Sequence, residues 1–108
     1  MAETSTVARP YAKAAFEYAR DQQALEAWSG QLATVAQVVS NTEFKAKVVG
    51  NPKLSQEQKI ELLLDVCGEL DESLCNFLRT VGSHGRLAAL SAIAEQFDAL
   101  RAQEEKRV

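Results

Sequence analysis

Apolar residues recur at steps of three and four through most of this 108-residue chain, and that spacing limits its possible folds more than any other feature. In the clearest example they form one seam that closes at Ser40-Asn41: Leu25, Trp28, Leu32, Val35 and Val39. An α-helix places residues at this spacing on one face, whereas a half-buried strand alternates apolar and polar residues. No segment alternates in that way with β-branched enrichment. We therefore predict an all-α chain.

Two later segments begin at residues that favour helix starts. Ser55 and Gln58 have the S-x-x-Q spacing of a capping box, and the apolar face that follows ends at Gly68: Ile60, Leu63, Leu64 and Cys67. Asp71 can cap the next helix, which has this apolar face: Leu74, Phe77, Leu78 and Val81.

Gly85 separates that helix from a last long one with a similar seam: Leu87, Leu90, Ile93, Ala94, Phe97 and Leu100. A short piece from Glu43 to Val49 supplies one or two further turns. Together with the opening segment, the count is six helices, five of them substantial. Short connections between amphipathic helices favour antiparallel neighbours around one core, so we predict a single-domain six-helix bundle over residues 1–105.

The opening segment, Thr6 to Gln22, is apolar over a wider arc than a surface helix needs. Ser5 or Thr6 can cap this helix, and Pro10 is expected in its first turn, where a missing N–H is tolerated. At about 100° per residue, nine apolar side chains cover about 200° of its circumference, whereas a stripe of about 100° is enough to face a core. The nine residues are Val7, Ala8, Tyr11, Ala12, Ala14, Ala15, Phe16, Tyr18 and Ala19.

Two interpretations of this surplus are open. A ridge of small residues lets another helix approach closely: Ala8, Ala12, Ala15 and Ala19. The helix is either central in the bundle, with its whole arc internal, or the flank with Tyr11, Ala14 and Tyr18 faces a groove for a partner's amphipathic helix. Tyrosine suits an interface because it has an apolar body and a polar tip.

Residues for catalysis or for binding a cofactor or metal do not form a recognisable set. Cys67 and Cys75 lack the spacing of a metal or disulfide framework, and we expect both to be reduced, packed thiols. His84 lies in a helix-ending stretch, where it can meet the carbonyl end of the helix. The five glycines form no phosphate-binding motif. We expect no active site, no cofactor, no metal and no small-molecule substrate.

Charge and hydropathy exclude further classes of partner. Twelve basic against 15 acidic residues give a formal net charge of -3, which does not attract a nucleic acid backbone. The basic cluster that a nucleic-acid-binding helix-turn-helix protein requires is missing, since Arg9, Lys13 and Arg20 share their face with Glu17. The longest apolar runs are far too short to span a bilayer, so we expect no direct membrane insertion.

Two stretches resemble the delta subunit family of F-type rotary ATP synthases, whose mitochondrial relative is the oligomycin-sensitivity conferral protein. TVARPYAKAAF, from Thr6 to Phe16, is similar to the opening helix of that family, and Trp28 stands where a second-helix anchor is expected. FLRTVGSHGRL, from Phe77 to Leu87, is similar to the end of its fifth helix. The resemblance implies a non-catalytic stator subunit in the peripheral stalk.

The resemblance also implies where a partner binds. In the family, the first and fifth helices form a groove for the N-terminal helix of an alpha subunit on the catalytic head. On this chain we predict the groove residues to be Tyr11, Ala14, Tyr18, Phe77, Thr80 and Val81. Leu74 and Leu78 are expected to face the core instead.

Beyond the bundle, the resemblance implies a hinge that starts at residues 106–108 and a C-terminal domain that engages b-type stalk subunits. The expected location is peripheral, on the cytoplasmic side of a bacterial inner membrane, because no transit peptide precedes the domain. A processed organellar counterpart would look the same. The alternative that remains is a stand-alone helical regulator that binds another amphipathic helix.

Overall fold

Six α-helices account for most of residues 3–106, the range that the computed structural model describes. A π-helical turn, Lys45–Val49, continues the short third helix, and a 3-10 turn, Leu87–Ala89, precedes the last one. The prediction of an all-α, single-domain six-helix bundle is confirmed. The helices are α1 (Glu3–Asp21), α2 (Leu25–Ser40), α3 (Thr42–Phe44), α4 (Gln56–Cys67), α5 (Glu72–Ser83) and α6 (Leu90–Lys106).

The start of α1 differs from the prediction. Ser5 and Thr6 lie inside the helix and do not cap it, and Pro10 is in the helix interior rather than in its first turn. Because proline has no N–H, the helix loses one backbone hydrogen bond there. Burial of the alanine ridge of α1 against the core compensates, since Ala8, Ala12 and Ala19 are all 0% exposed.

The predicted capping signals of α4 and α5 had different outcomes. The capping box of α4 is present: the Gln58 N–H donates to Ser55 Oγ at 3.1 Å, and the Ser55 N–H donates to Gln58 Oε1 at 2.9 Å. Asp71 does occupy the N-cap of α5, but its carboxylate accepts no capping hydrogen bond. Its backbone N–H donates to Gln31 Oε1 of α2 at 2.8 Å, which ties the start of α5 to α2.

The core is built around α6, which packs against both α1 and α2, while α4 packs against α5. Phe97, Ile93 and Leu90 of α6 are all 0% exposed. Two polar contacts join α6 to α2 at the surface: Ser40 Oγ lies 2.7 Å from Ser91 Oγ, and Ser29 Oγ donates to Asp98 at 2.7 Å. As predicted, Leu74 and Leu78 of α5 face this core, and Trp28 of α2 is 2% exposed.

The predicted hinge falls at the edge of the described range. Lys106 still belongs to α6, and residues 107 and 108 lie outside the described residues. Within the part of the chain that the structure describes, none of the helices combines the length and the hydropathy required to cross a membrane.

A groove between the first and fifth helices

The surplus apolar flank of α1 reaches the surface. Tyr18 is 44% exposed, Ala14 is exposed and Tyr11 is half-buried, although Ala12 and Ala15 beside them are buried. The interpretation in which the whole apolar arc of α1 is internal is therefore wrong. Tyr11, Ala14 and Tyr18 lie at steps of three and four, so they form one stripe along the helix.

A matching stripe lies on α5, which presents Phe77 and Thr80 beside the flank of α1. Phe77 is half-buried and Thr80 is exposed, and Ser73 and Asn76 continue the same face. These four residues have the i, i+3, i+4, i+7 spacing of one helical face. The α1 and α5 stripes together form a groove, which we call the α1/α5 groove.

Val81 does not belong to this groove, so that part of the prediction was wrong. Its side chain is 0% exposed and packs in the core. The physical reason is its register: Val81 follows Leu74 by seven residues and Leu78 by three, which places it on the buried face of α5 with them. Thr80, one residue earlier, is turned toward the groove.

Aromatic rings form the floor of the groove at the Tyr18 end. The ring centroid of Trp28 lies 5.5 Å from that of Tyr18 and 5.7 Å from that of Phe77. On its inner side the Trp28 ring stacks on Phe97 of the core, with centroids 6.5 Å apart. These separations fall in the range of favourable aromatic contacts. A buried side chain of α2 thus connects the groove to the core.

His84 closes the opposite end of the groove. Its ring centroid lies 6.4 Å from that of Tyr11, and its Nδ1 lies 2.8 Å from the carbonyl oxygen of Thr80. A carbonyl oxygen only accepts hydrogen bonds, so Nδ1 of His84 is the donor in this contact. His84 therefore caps the end of α5, as predicted. Because Tyr11 faces His84 while Tyr18 faces Phe77, α5 runs antiparallel to α1 along the groove.

The shape of the groove suits side chains of a helix rather than a small molecule. The groove contains an open hollow of about 340 Å³, lined by Ala14, Ala15, Tyr18, Trp28, Ser73, Asn76, Phe77 and Thr80. Alanine on one wall leaves room for a ridge of another helix, and the aromatic floor offers apolar contact area. Larger hollows lie elsewhere, between α1 and α6 and beside α4, so volume alone does not single out this groove.

Trp28 and His84 are groove residues that sequence reasoning missed. Both had been assigned structural roles, one in the core and one at a helix end, and each assignment holds. The available signal for His84 was its spacing, four residues after Thr80 and seven after Phe77. For Trp28 no such signal existed, because it reaches the groove from a third helix.

The two thiols add no reactive centre to this site. Both cysteines are free and half-buried, and they lie on α4 and α5 away from the groove lining. Burial, with a smaller contribution from the neighbouring Cys75, raises the pKa of the Cys67 thiol above its ordinary value. Since the thiolate is the nucleophilic form, this shift lowers the reactivity of Cys67 at neutral pH.

Comparison with known sequences places nearly the whole chain in one family. A family model described as "ATP synthase delta (OSCP) subunit" matches residues 7–108. A protein named ATP synthase subunit delta from Chromohalobacter salexigens is 79% identical over all 108 residues. Proteins of the same name from Hahella chejuensis and Azotobacter vinelandii are 46% and 43% identical over 109 aligned positions. The chain is covered completely in each comparison, but it spans only 61% of the length of these relatives.

Proposed function

The chain belongs to the ATP synthase delta (OSCP) subunit family, and from this premise we propose that it is the head-binding domain of a peripheral-stalk subunit. In this role it is a non-catalytic stator component of an F-type ATP synthase. It binds the N-terminal helix of an alpha subunit in the α1/α5 groove. The remaining part of the subunit, a C-terminal domain reached through a hinge near residues 106–108, joins b-type stalk subunits.

The observation that carries this proposal is the exposed apolar stripe of α1, which lies opposite the groove-facing side of α5 with its single apolar residue, Phe77. Tyr18 is 44% exposed beside a hollow lined by Ala14 and Phe77, so apolar area there stays open to a partner. An amphipathic helix laid in such a groove buries its apolar face through anchors at i, i+3, i+4 and i+7. Both walls of the groove present residues at that spacing.

The mechanical demand of a stator agrees with this kind of contact. A rotary enzyme needs its catalytic head held still against torque, which requires slow dissociation rather than chemistry. Burying aromatic side chains in a packed groove favours slow dissociation, while a polar rim sets the register of the bound helix. Ser73, Asn76 and Thr80 supply such a rim on α5.

The proposed location follows from the partner. A domain that grips the catalytic head lies on the side of the membrane where the head is found, which in bacteria is the cytoplasmic side. The domain attaches to the membrane only through the complex. Family membership favours this assignment over a stand-alone helical regulator.

A peptide titration tests the proposal. The ligand is a synthetic peptide that copies about the first 20 residues of the alpha subunit from Chromohalobacter salexigens, roughly 30 Å of helix. We expect a Kd of about 1 μM or tighter, as for a small but apolar groove. Amide shifts should change at Tyr11, Ala14, Tyr18, Phe77 and Thr80.

A scrambled peptide of the same composition serves as the control and should leave these amides unchanged. Shift changes confined to α4 or to the α1/α6 surface would contradict the proposal, as would equal binding of the scrambled peptide.

A further inference from the structure

The hairpin formed by α4 and α5 holds both cysteines of the chain. A short connection, residues 68–71, joins the end of α4 to the start of α5, and the two helices pack against each other. Cys67 is the last residue of α4, and Cys75 closes the first turn of α5. Both thiols are free and half-buried. The proposed function uses neither of them.

At the end of the hairpin away from the connection, the two backbones approach closely. Gly82 of α5 lies directly against Ile60 of α4, and a methyl group added at Gly82 would overlap the Ile60 side chain. One turn nearer the connection on α5, Arg79 donates to the carboxylate of Glu61 at 2.9 Å. The two helices are therefore in contact at this end and covalently joined at the other, so they run antiparallel side by side.

The register of this antiparallel pair brings the cysteines together. Cys67 follows Ile60 by seven residues, and Cys75 precedes Gly82 by seven. Seven residues are only about 20° short of two complete helical turns, so each cysteine lies on the same face as the contact residue of its helix. Because α4 and α5 run in opposite directions, both seven-residue steps lead from the close contact toward the connection. Cys67 and Cys75 therefore face each other across the hairpin.

The surroundings of the thiols agree with this placement. The Cys75 S–H donates to the Leu70 carbonyl oxygen of the connection, with sulfur and oxygen 4.0 Å apart, and Leu70 packs on the same core cluster as Cys67. Burial is the larger cause of the raised pKa of the Cys67 thiol, and the charge of Cys75 adds to it. Since the interaction between two charges falls with distance, this second cause agrees with neighbouring sulfurs.

We infer that Cys67 and Cys75 are an oxidation site, at which a peroxide converts the two thiols into a reversible disulfide across the α4–α5 hairpin. One thiolate attacks a peroxide oxygen, so an S–O bond forms while the O–O bond breaks, which gives a sulfenic acid and hydroxide. The other thiolate attacks the sulfenic sulfur, so the S–S bond forms while the S–O bond breaks and a second hydroxide leaves. The two thiol protons convert the hydroxides to water. The sulfurs lose two electrons, and hydrogen peroxide is reduced to two waters.

The bridge acts on the hairpin and leaves the α1/α5 groove open. Around α5, Cys75 lies about 200° from Phe77 and about 140° from Thr80, so it is on the side away from the groove. A disulfide between Cys67 and Cys75 closes a short loop and restricts the unfolded chain, which stabilises the folded one. The oxidised domain is therefore harder to unfold, while the lining of the groove is unchanged.

Mass spectrometry of the chain after treatment with excess hydrogen peroxide tests the inference. The expected product is a monomer that has lost two hydrogen atoms and regains them with dithiothreitol. Glu69 and Glu72 lie between the cysteines, so a protease that cleaves after glutamate yields two peptides that only the bridge holds together. Thermal unfolding followed by circular dichroism should show a midpoint raised by about 5 °C or more, and reduction should reverse this shift.

Two variants distinguish the register of the hairpin from closeness in the sequence. Cys75→Ser leaves one thiol, which should gain oxygen atoms or link two chains, with no rise in the unfolding midpoint. Cys75→Ser together with Asn76→Cys keeps two thiols, but the second is turned about 100° around α5 toward the groove. Under the same treatment this variant should form at least tenfold less of the bridge within one chain than the natural pair.

Three outcomes would overturn the inference. The first is oxygen adducts on both cysteines of the natural chain without a bridge. The second is equal bridging in the variant that carries Asn76→Cys, which would mean that closeness in the sequence alone brings the thiols together. The third is a bridge that does not raise the unfolding midpoint, which would mean that the folded hairpin does not hold the sulfurs face to face. None of these outcomes depends on whether the alpha-subunit peptide binds the α1/α5 groove.

Discussion

Helix α1 has two apolar flanks that the bundle treats in opposite ways. The alanine ridge packs against the core with at most 1% exposure: Ala8, Ala12, Ala15 and Ala19. The groove flank, with Tyr11, Ala14 and Tyr18, remains wholly or partly open to solvent. Apolar character on one helix therefore has two origins if the proposed function is correct, because folding buries the first flank and leaves the second open to a partner.

Helix α5 is divided in the same way. Leu74, Leu78 and Val81 are buried, while Phe77 and Thr80 border the groove. Both helices thus present one face to the core and an adjacent face to the groove. If this division is correct, substitutions one or two residues apart must separate stability from binding.

The largest expected effect is on the buried ridge. Ala12→Asp places a carboxylate without a partner in the core, which should cost about 4 kcal/mol or more of unfolding free energy and leave the domain largely unfolded. Ala33→Asp, at an exposed position of α2, is the matched control and should cost less than about 1 kcal/mol. Urea denaturation followed by circular dichroism measures both. Similar losses of unfolding free energy in the two variants would contradict the distinction between a buried and an open flank of α1.

The next effect compares two neighbours on α5. Val81→Ala should lower the unfolding free energy by about 2 kcal/mol, because it removes buried methyl groups and leaves a cavity. Thr80→Ala should change stability by less than about 1 kcal/mol, since its hydroxyl is exposed and bonds only within the helix to the Asn76 carbonyl oxygen. The affinity for the alpha-subunit peptide should show the reverse order, with a larger loss in Thr80→Ala than in Val81→Ala. If folded Val81→Ala lost more affinity for the peptide than Thr80→Ala, Val81 would have to be counted among the groove residues.

A smaller effect on stability than in the two core variants, Ala12→Asp and Val81→Ala, is expected at Tyr18. Tyr18→Ala removes an aromatic contact with Trp28, worth about 1 kcal/mol beyond area burial. The same change should weaken peptide binding at least tenfold, because it removes part of the aromatic wall. Trp28 fluorescence offers a direct reading of the site, since it is the single tryptophan of the chain and lies under the groove. An unfolding loss of about 3 kcal/mol or more, which is typical of an aromatic side chain truncated in a core, would mean that Tyr18 belongs to the core.

Much of the fold could be predicted from the sequence, because periodicity and capping are local signals. The seam of α2, the capping box at Ser55 and Gln58, and the turn at Gly85, which adopts a φ of +70°, all lie where expected. The predicted start of α1 was wrong because serine and threonine are compatible with a first helical turn as well as with an N-cap. The π-helical form of Lys45–Val49 leaves no comparable trace in the residue pattern.

The groove could be predicted only in part. Excess apolar arc identified the α1 flank, and the resemblance supplied the pairing with α5. The register of α5 was misread at Val81, although its spacing from Leu74 and Leu78 contained the answer. The exposure of Leu62 and Val66 on α4 was not anticipated, because they lie in a run where most neighbours are apolar and periodicity marks only the buried side.

The central claim is that the Ala14 flank is dispensable for folding and required for binding, and one variant measured twice tests it. For Ala14→Asp we predict an unfolding free energy within about 1 kcal/mol of the Ala33→Asp control. On the same sample, affinity for the alpha-subunit peptide should fall at least 100-fold, about 2.7 kcal/mol, because an unpaired charge enters an apolar interface. Unfolding comparable to that of Ala12→Asp, or undiminished peptide affinity, would contradict the account.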